Sequence, residues 1–177
     1  MLALIAEQAG QVRALLQHLL IAVESDPDLL AARIKLGTLY ISARAYEPAA
    51  EQAAAAMALA PDAPDVRVLN ARLLIQQGQL EPGRAELEQA LTLDPTHVEA
   101  IGMKALLLQE SEPDRALELL DDAIDGLERD EAVALRQLKL DILESHERTG
   151  ELEQALRAMI DEAGDGDSAY QARLADF

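Results

Sequence analysis

The sequence predicts an all-α fold, an array of stacked antiparallel helical hairpins, and three observations predict it. Pro27, Pro61 and Pro95 stand 34 residues apart, and the residues around each repeat the same order of sizes and polarities. A fixed period of that length marks a repeat architecture, in which each unit buries its apolar face only against its neighbours. Half of the residues are apolar but only 2% are aromatic, so the core must be built from Ala, Leu, Ile and Val at helical spacing. No stretch alternates apolar and polar residues as a half-buried strand does.

The columns of the repeat are read as offsets from the three prolines. Small residues recur at Gly37, Ala71 and Ala105 and again at Ala22, Ala56 and Ala90, where two helix backbones must approach closely. Large residues recur at Tyr40, Leu74 and Leu108, at Val12, Tyr46 and Leu80, and, around Ala53, at Leu19 and Leu87. Gly10, Arg44 and Gly78 share the column between the two helices of a unit, where the chain must turn.

The first hairpin is expected over residues 1–25, pairing 1–9 with 11–25 across Gly10. The second, 28–60, pairs 28–42 with 46–60, and the third, 64–93, pairs 64–77 with 81–93. The fourth, 96–128, pairs 96–110 with 113–128 and has lost one residue at its turn, because Ala116 sits one position early. The fifth, 131–163, pairs 131–148 with 151–163 beyond a five-residue lengthening: Ala116 to Ala155 spans 39 residues rather than 34. The added length is expected to extend a helix near Asp130. Pro48, Pro82 and Pro113 stand in the first turn of a second helix, where a missing amide hydrogen costs little. Ser168 is placed to cap a further helix over 168–177.

In these columns the chain resembles the tetratricopeptide repeat (TPR) family over about residues 3–160. The match is carried by Leu36-Gly37 with Tyr40, by Gly78-Gln79-Leu80, by Ala56 and Ala90, and by Leu93-Asp94-Pro95. The large aromatic that the family often places early in its first helix is replaced by Arg33, Arg67 and Ile101, which implies a looser, more aliphatic seam. The resemblance implies a right-handed superhelical α-solenoid forming one repeat domain over 1–177. Ala3 occupies the column of Gly37, and neither end supplies the polar capping unit that solenoids use, so the expectation is a fragment of a longer array.

The formal net charge of −18 opposes nonspecific binding to nucleic acid and to anionic membrane surfaces, since no basic stripe with interleaved aromatics offsets it. Two readings of the charge stay open: acidic helix faces that keep an alanine-rich solenoid in solution, or a surface for a basic partner. Residues 1–20 are apolar but carry Glu7, Gln8, Gln11, Arg13, Gln17 and His18 and lack a basic leader, against both a signal sequence and membrane insertion. With no cysteine there is no disulfide, and the compartment, cytoplasmic or periplasmic, is left open.

Several strings imitate catalytic or metal motifs. Asp121-Asp122-Ala123-Ile124-Asp125 has the form of an aspartate-rich magnesium box, but no second such helix is present, and Ala123 in the alanine column turns the aspartates to solvent. Asp161 to Asp167 has the flavour of a calcium loop, yet Ala163 and Ala172 stand where ligands are needed, so an acidic turn fits better. His18, His97 and His146 follow no metal-ligand spacing. No catalytic constellation, cofactor or metal site is expected, and the chain is not read as an enzyme.

In TPR arrays the first helix of each unit lines the concave surface. By that resemblance the groove here is lined by Ala31, Ile34, Lys35, Thr38 and Ile41, by Val68, Leu69, Arg72 and Ile75, by Glu99, Gly102, Met103 and Leu106, and by Gln137, Leu140, Asp141 and Glu144. Ile34, Lys35, Thr38, Ile41, Val68, Arg72, Ile75, Met103 and Leu106 are the candidate partner-binding residues. Only Lys35 and Arg72 could hold a terminal carboxylate, so an apolar peptide or protein segment with basic flanks fits better than an acidic tail. The function expected is a non-catalytic protein-protein interaction scaffold within a larger assembly. The alternative is a structural spacer or rod that self-associates through its open ends.

Overall fold

The computed structural model describes residues 2–163, together with Gln171 and Leu174. Among the described residues there are nine α-helices and no strand: α1 (Leu2–Ser25), α2 (Leu30–Ser42), α3 (Tyr46–Leu59), α4 (Pro64–Gln76), α5 (Leu80–Leu93), α6 (Val98–Leu108), α7 (Pro113–Gly126), α8 (Val133–Ser145) and α9 (Thr149–Ala163). The fold is all-α, a TPR-like solenoid of antiparallel hairpins. The chain divides into two compact units at Ala100/Ile101.

In the first unit, α2 pairs with α3 and α4 with α5, and α1 packs on α2. The α1–α2 seam is closed by Leu19, Ala32 and Leu36, with Leu16, Ala22 and Val23 at its margin. A second cluster joins Ile41, Ala49, Ala53, Leu69 and Leu73. The alanine and glycine columns allow this approach. A Cβ on Gly83 would lie 2.6 Å from Ile75 Cγ1, and one on Gly37 would lie 3.1 Å from both Leu69 methyls. Ala56, Ala71 and Ala90 have no exposed surface. In the second unit, α8 packs against α7 and α9, and Ala116, Leu120, Leu135, Leu143 and Leu156 are fully buried.

Three of the hairpin turns share one device. Arg44, Gly78 and Glu147 take the left-handed conformation, with φ of 58°, 78° and 54°. The next amide reaches back five residues in each case, Ala45 N to Tyr40 O, Gln79 N to Leu74 O and Arg148 N to Leu143 O, all at 2.9 Å. This is the Schellman ending of a helix, which satisfies carbonyls that the last turn leaves free. The turn after α6 spans the four residues 109–112, against three in each of the others, because α6 stops early at Leu108. It closes differently, with the Ser111 and Glu112 amides both donating to Leu108 O.

The structure departs from the sequence expectations at two places. The first hairpin does not form: α1 is one continuous helix through Gly10, which adopts helical backbone rather than a turn. The lengthening before the fifth hairpin does not extend a helix near Asp130. Instead α7 stops at Gly126, Leu127 is extended (φ −107°, ψ 153°), and residues 127–132 form a turn in which Glu131 N and Ala132 N donate to Glu128 O, both at 3.0 Å. Gly126 is a poor helix former, and the charged run Glu128-Arg129-Asp130-Glu131 beyond Leu127 offers a continued helix no apolar face to bury. The further helix expected from Ser168 and most of the acidic turn from Asp161 to Asp167 lie outside the described residues.

Candidate functional site

The candidate surface is the face formed by the first helices of the pairs. In the first unit α2 and α4 lie side by side, so the face there is continuous. Lys35 is exposed, Ile34, Thr38, Arg72 and Ile75 are half-buried, and Ala31 is exposed. Arg72 does not stand alone: its guanidinium donates to Glu99, in the first turn of α6. The face therefore carries one free-standing ammonium and one arginine–glutamate pair among aliphatic side chains.

Two of the candidate residues belong to the core instead. Ile41 is 5% exposed and packs in the cluster with Ala49, Ala53, Leu69 and Leu73, and Val68 is 2% exposed. Leu69 and Leu140 are likewise buried. The inward stripe of each first helix is broader than the groove positions alone, because the same helix must meet both its own partner helix and the next pair. In the second unit Met103 is half-buried and Leu106 is 48% exposed.

Each aspartate of the magnesium-box imitation is exposed, and Asp121 is bound to the Lys139 ammonium. A cavity of about 150 Å³ beside it is lined by Asp121, Ile124, Asp125, Arg136, Lys139 and Met159 among others. That is below the usual range of small-molecule sites. Among the described residues no three His, Asp or Glu side chains converge as metal ligands, and no helix is long and apolar enough to cross a membrane. His97 serves the fold: its Nδ1 accepts from Ala100 N at 3.2 Å, capping α6, and its Nε2 lies 3.1 Å from Asp65. Asp94 accepts from both the hydroxyl and the amide of Thr96, which holds its carboxyl below the usual value.

Sequence reasoning missed the role of two arginines. Arg33 donates from Nε to Pro27 O at 2.6 Å and from Nη1 to Gln52 at 3.1 Å. One repeat later Arg67 donates to Pro61 O at 2.8 Å and to Glu86 at 3.1 Å. Each guanidinium ties the closing proline of one unit to both helices of the next. The signal was present: both the arginines and their side-chain acceptors, Gln52 and Glu86, recur at the repeat distance.

Comparison with known proteins agrees with this architecture. Residues 43–107 match the family model described as tetratricopeptide repeat. Among curated proteins, the chain is 25% identical over 134 residues to DnaJ homolog subfamily C member 3 of Mus musculus, covering 76% of this chain and 27% of that protein. The chain thus spans about a quarter of that relative's length. Among solved structures it is similar to a thermophilic TPR protein of Thermus thermophilus, with a TM-score of 0.75 at 18% identity, covering 99% of this chain and 94% of that one. It is also similar to pilF of Pseudomonas aeruginosa, with a TM-score of 0.65 at 20% identity over 99% and 80% of the two chains. A third likeness is to YrrB, a TPR protein with an unusual peptide-binding site, with a TM-score of 0.58 at 16% identity over 99% and 89%. At these identities the structural likeness establishes the fold.

Proposed function

Because the chain carries tetratricopeptide repeats and folds as a solenoid of them, we propose that it is a non-catalytic scaffold that binds a peptide or protein segment on its first-helix face. The observation that carries this reading is the Arg72–Glu99 pair, set between the aliphatic side chains of α4 and the start of α6. A peptide laid along that face offers carbonyl oxygens to Arg72 and a basic flank to Glu99, while its apolar side chains meet Ile34 and Ile75. Ile41 and Val68 support the face from beneath. YrrB, of the same fold, is a peptide-binding TPR protein, which is consistent with a segment-binding role here.

The reading is tested by selecting peptides against the chain from a random display library. The selected sequences should share an apolar core with Lys or Arg at a flank. Arg72→Ala should weaken them by roughly 1–3 kcal/mol, the range for a hydrogen bond to a charged group. Glu88→Ala, on the exposed side of α5, should leave affinity unchanged. Selected peptides that crosslink to α3 and α5 instead, with Arg72→Ala silent, would sink the reading.

A further inference from the structure

We propose that His97 is a proton-released cap on α6, which makes the first turn of that helix, and with it the Arg72–Glu99 pair, responsive to pH. Its bearing on binding rests on that face being the peptide site. In α2, α3, α4, α5, α7 and α8 the residue before the helix makes no side-chain hydrogen bond to the first turn. His97, before α6, does: its Nδ1 accepts from Ala100 N at 3.2 Å.

Leu29, Ala63 and His97 stand 34 residues apart at this position of the repeat. In the two earlier repeats the third amide of the helix goes to the backbone instead, Ala32 N to Leu29 O and Val66 N to Ala63 O, both at 3.1 Å. Those bonds are indifferent to pH. The bond on α6 is not, because an amide N–H can only donate, so Nδ1 must be bare to accept from it. Nε2 then carries the ring's proton and donates it to Asp65, 3.1 Å away. A second proton can enter only at Nδ1, where it meets the Ala100 amide hydrogen and ends the cap. Imidazole is the side chain whose unperturbed charge changes between pH 5 and 8.

The charged groups around the ring are Asp65 and Arg72 of α4, Asp94 at the end of α5 and Glu99 of α6 itself. Arg72 is occupied by Glu99. Asp65 bonds the ring, and Asp94, whose carboxyl Thr96 holds below its usual value, attracts the charged form. Two carboxylates thus attract an imidazolium, whereas the Ala100 bond requires a neutral ring. Glu99 is the second residue of α6, inside the turn that the cap holds. Uncapping lets that turn fray, and Glu99 loses the fixed position from which it meets Arg72 and a basic flank. The face is set for binding at neutral pH and loosened in acid.

Amide hydrogen exchange of the whole chain from pH 8 to pH 5, read by NMR and corrected for the intrinsic rate, tests the cap without any peptide. Protection of Ala100 should fall about fivefold towards pH 5, as loss of a cap implies, while Val66, held by a carbonyl at the equivalent position, keeps its own. His97→Asn retains a capping side chain that takes up no proton, and it should abolish the response. Peptides selected from the display library carry Lys or Arg flanks that stay charged throughout. They should bind the native chain about threefold more weakly at pH 5.5 than at pH 7.5, as a smaller binding-competent fraction requires, and His97→Asn equally at both. Ala100 protection that is flat with pH, or a fall that persists in His97→Asn, would overturn the proposal. Loss of protection with unchanged peptide affinity would uphold the cap and refute instead the placing of peptides on the Arg72–Glu99 pair.

Discussion

Arg33 and Arg67 hold positions where related repeats often place an aromatic, and they replace ring packing with directed hydrogen bonds. The Arg67–Glu86 pair is less than one-fifth exposed on both sides, so its bonds are not those of a freely solvated surface pair. Arg67→Ala should lower stability by about 1–3 kcal/mol in chemical denaturation. Arg67→Lys should recover little of it, since one ammonium cannot span Pro61 O and Glu86 as the fork does. Arg44 and Glu147 work in the opposite sense: each occupies a left-handed position that Gly78 fills without strain. Arg44→Gly and Glu147→Gly should each stabilise by about 1 kcal/mol, while Gly78→Arg should destabilise by a similar amount. Gly78 alone was legible as a turn former. The shared column of Gly10, Arg44 and Gly78 revealed where the chain turns in two cases of three, and Glu147 was hidden by the added length before it.

At the level of helices, the small-residue columns were the reliable guide. Ala56 and Ala90 lie fully buried where their spacing put them, and Pro48, Pro82 and Pro113 stand in first turns. Ala90→Leu should overpack its seam and cost about 1–3 kcal/mol, read as a lowered midpoint of thermal unfolding. An unchanged midpoint would show that the seam can open to admit the larger side chain. The columns erred where one residue type can serve two purposes. Gly10 marks a turn by analogy with Gly78 yet is compatible with a helix when nothing pulls the two halves together, and Leu15 is too large for the close approach that Ala49 and Gly83 permit. Groove and core could not be separated by spacing either, which is why Ile41 and Val68 proved to be buried while Lys35 and Ile75 stayed accessible.

The chain as a whole couples an aliphatic core to a strongly acidic surface. Among the described residues no polar or charged side chain is fully buried, so its electrostatics act almost entirely through solvent. With a net charge of −18 the folded state repels itself more than the expanded chain does. Raising sodium chloride from low to moderate concentration should therefore raise the melting temperature, even though it weakens surface pairs such as Arg157–Glu153. A falling melting temperature would mean that the ion pairs outweigh the repulsion. The turn of residues 127–132 has a further consequence. Its Glu128, Arg129, Asp130 and Glu131 are exposed, Ala132 is its one fully buried residue, and Arg136 reaches back to Arg129 O at 3.4 Å. Such a segment is where the chain can change length most cheaply, since doubling a flexible connection costs only about 0.6 kcal/mol of closure entropy. A reporter domain or a long glycine-serine tract spliced after Asp130 should leave α7 and α8 folded, as far-ultraviolet circular dichroism would show, making this turn the natural port for labels.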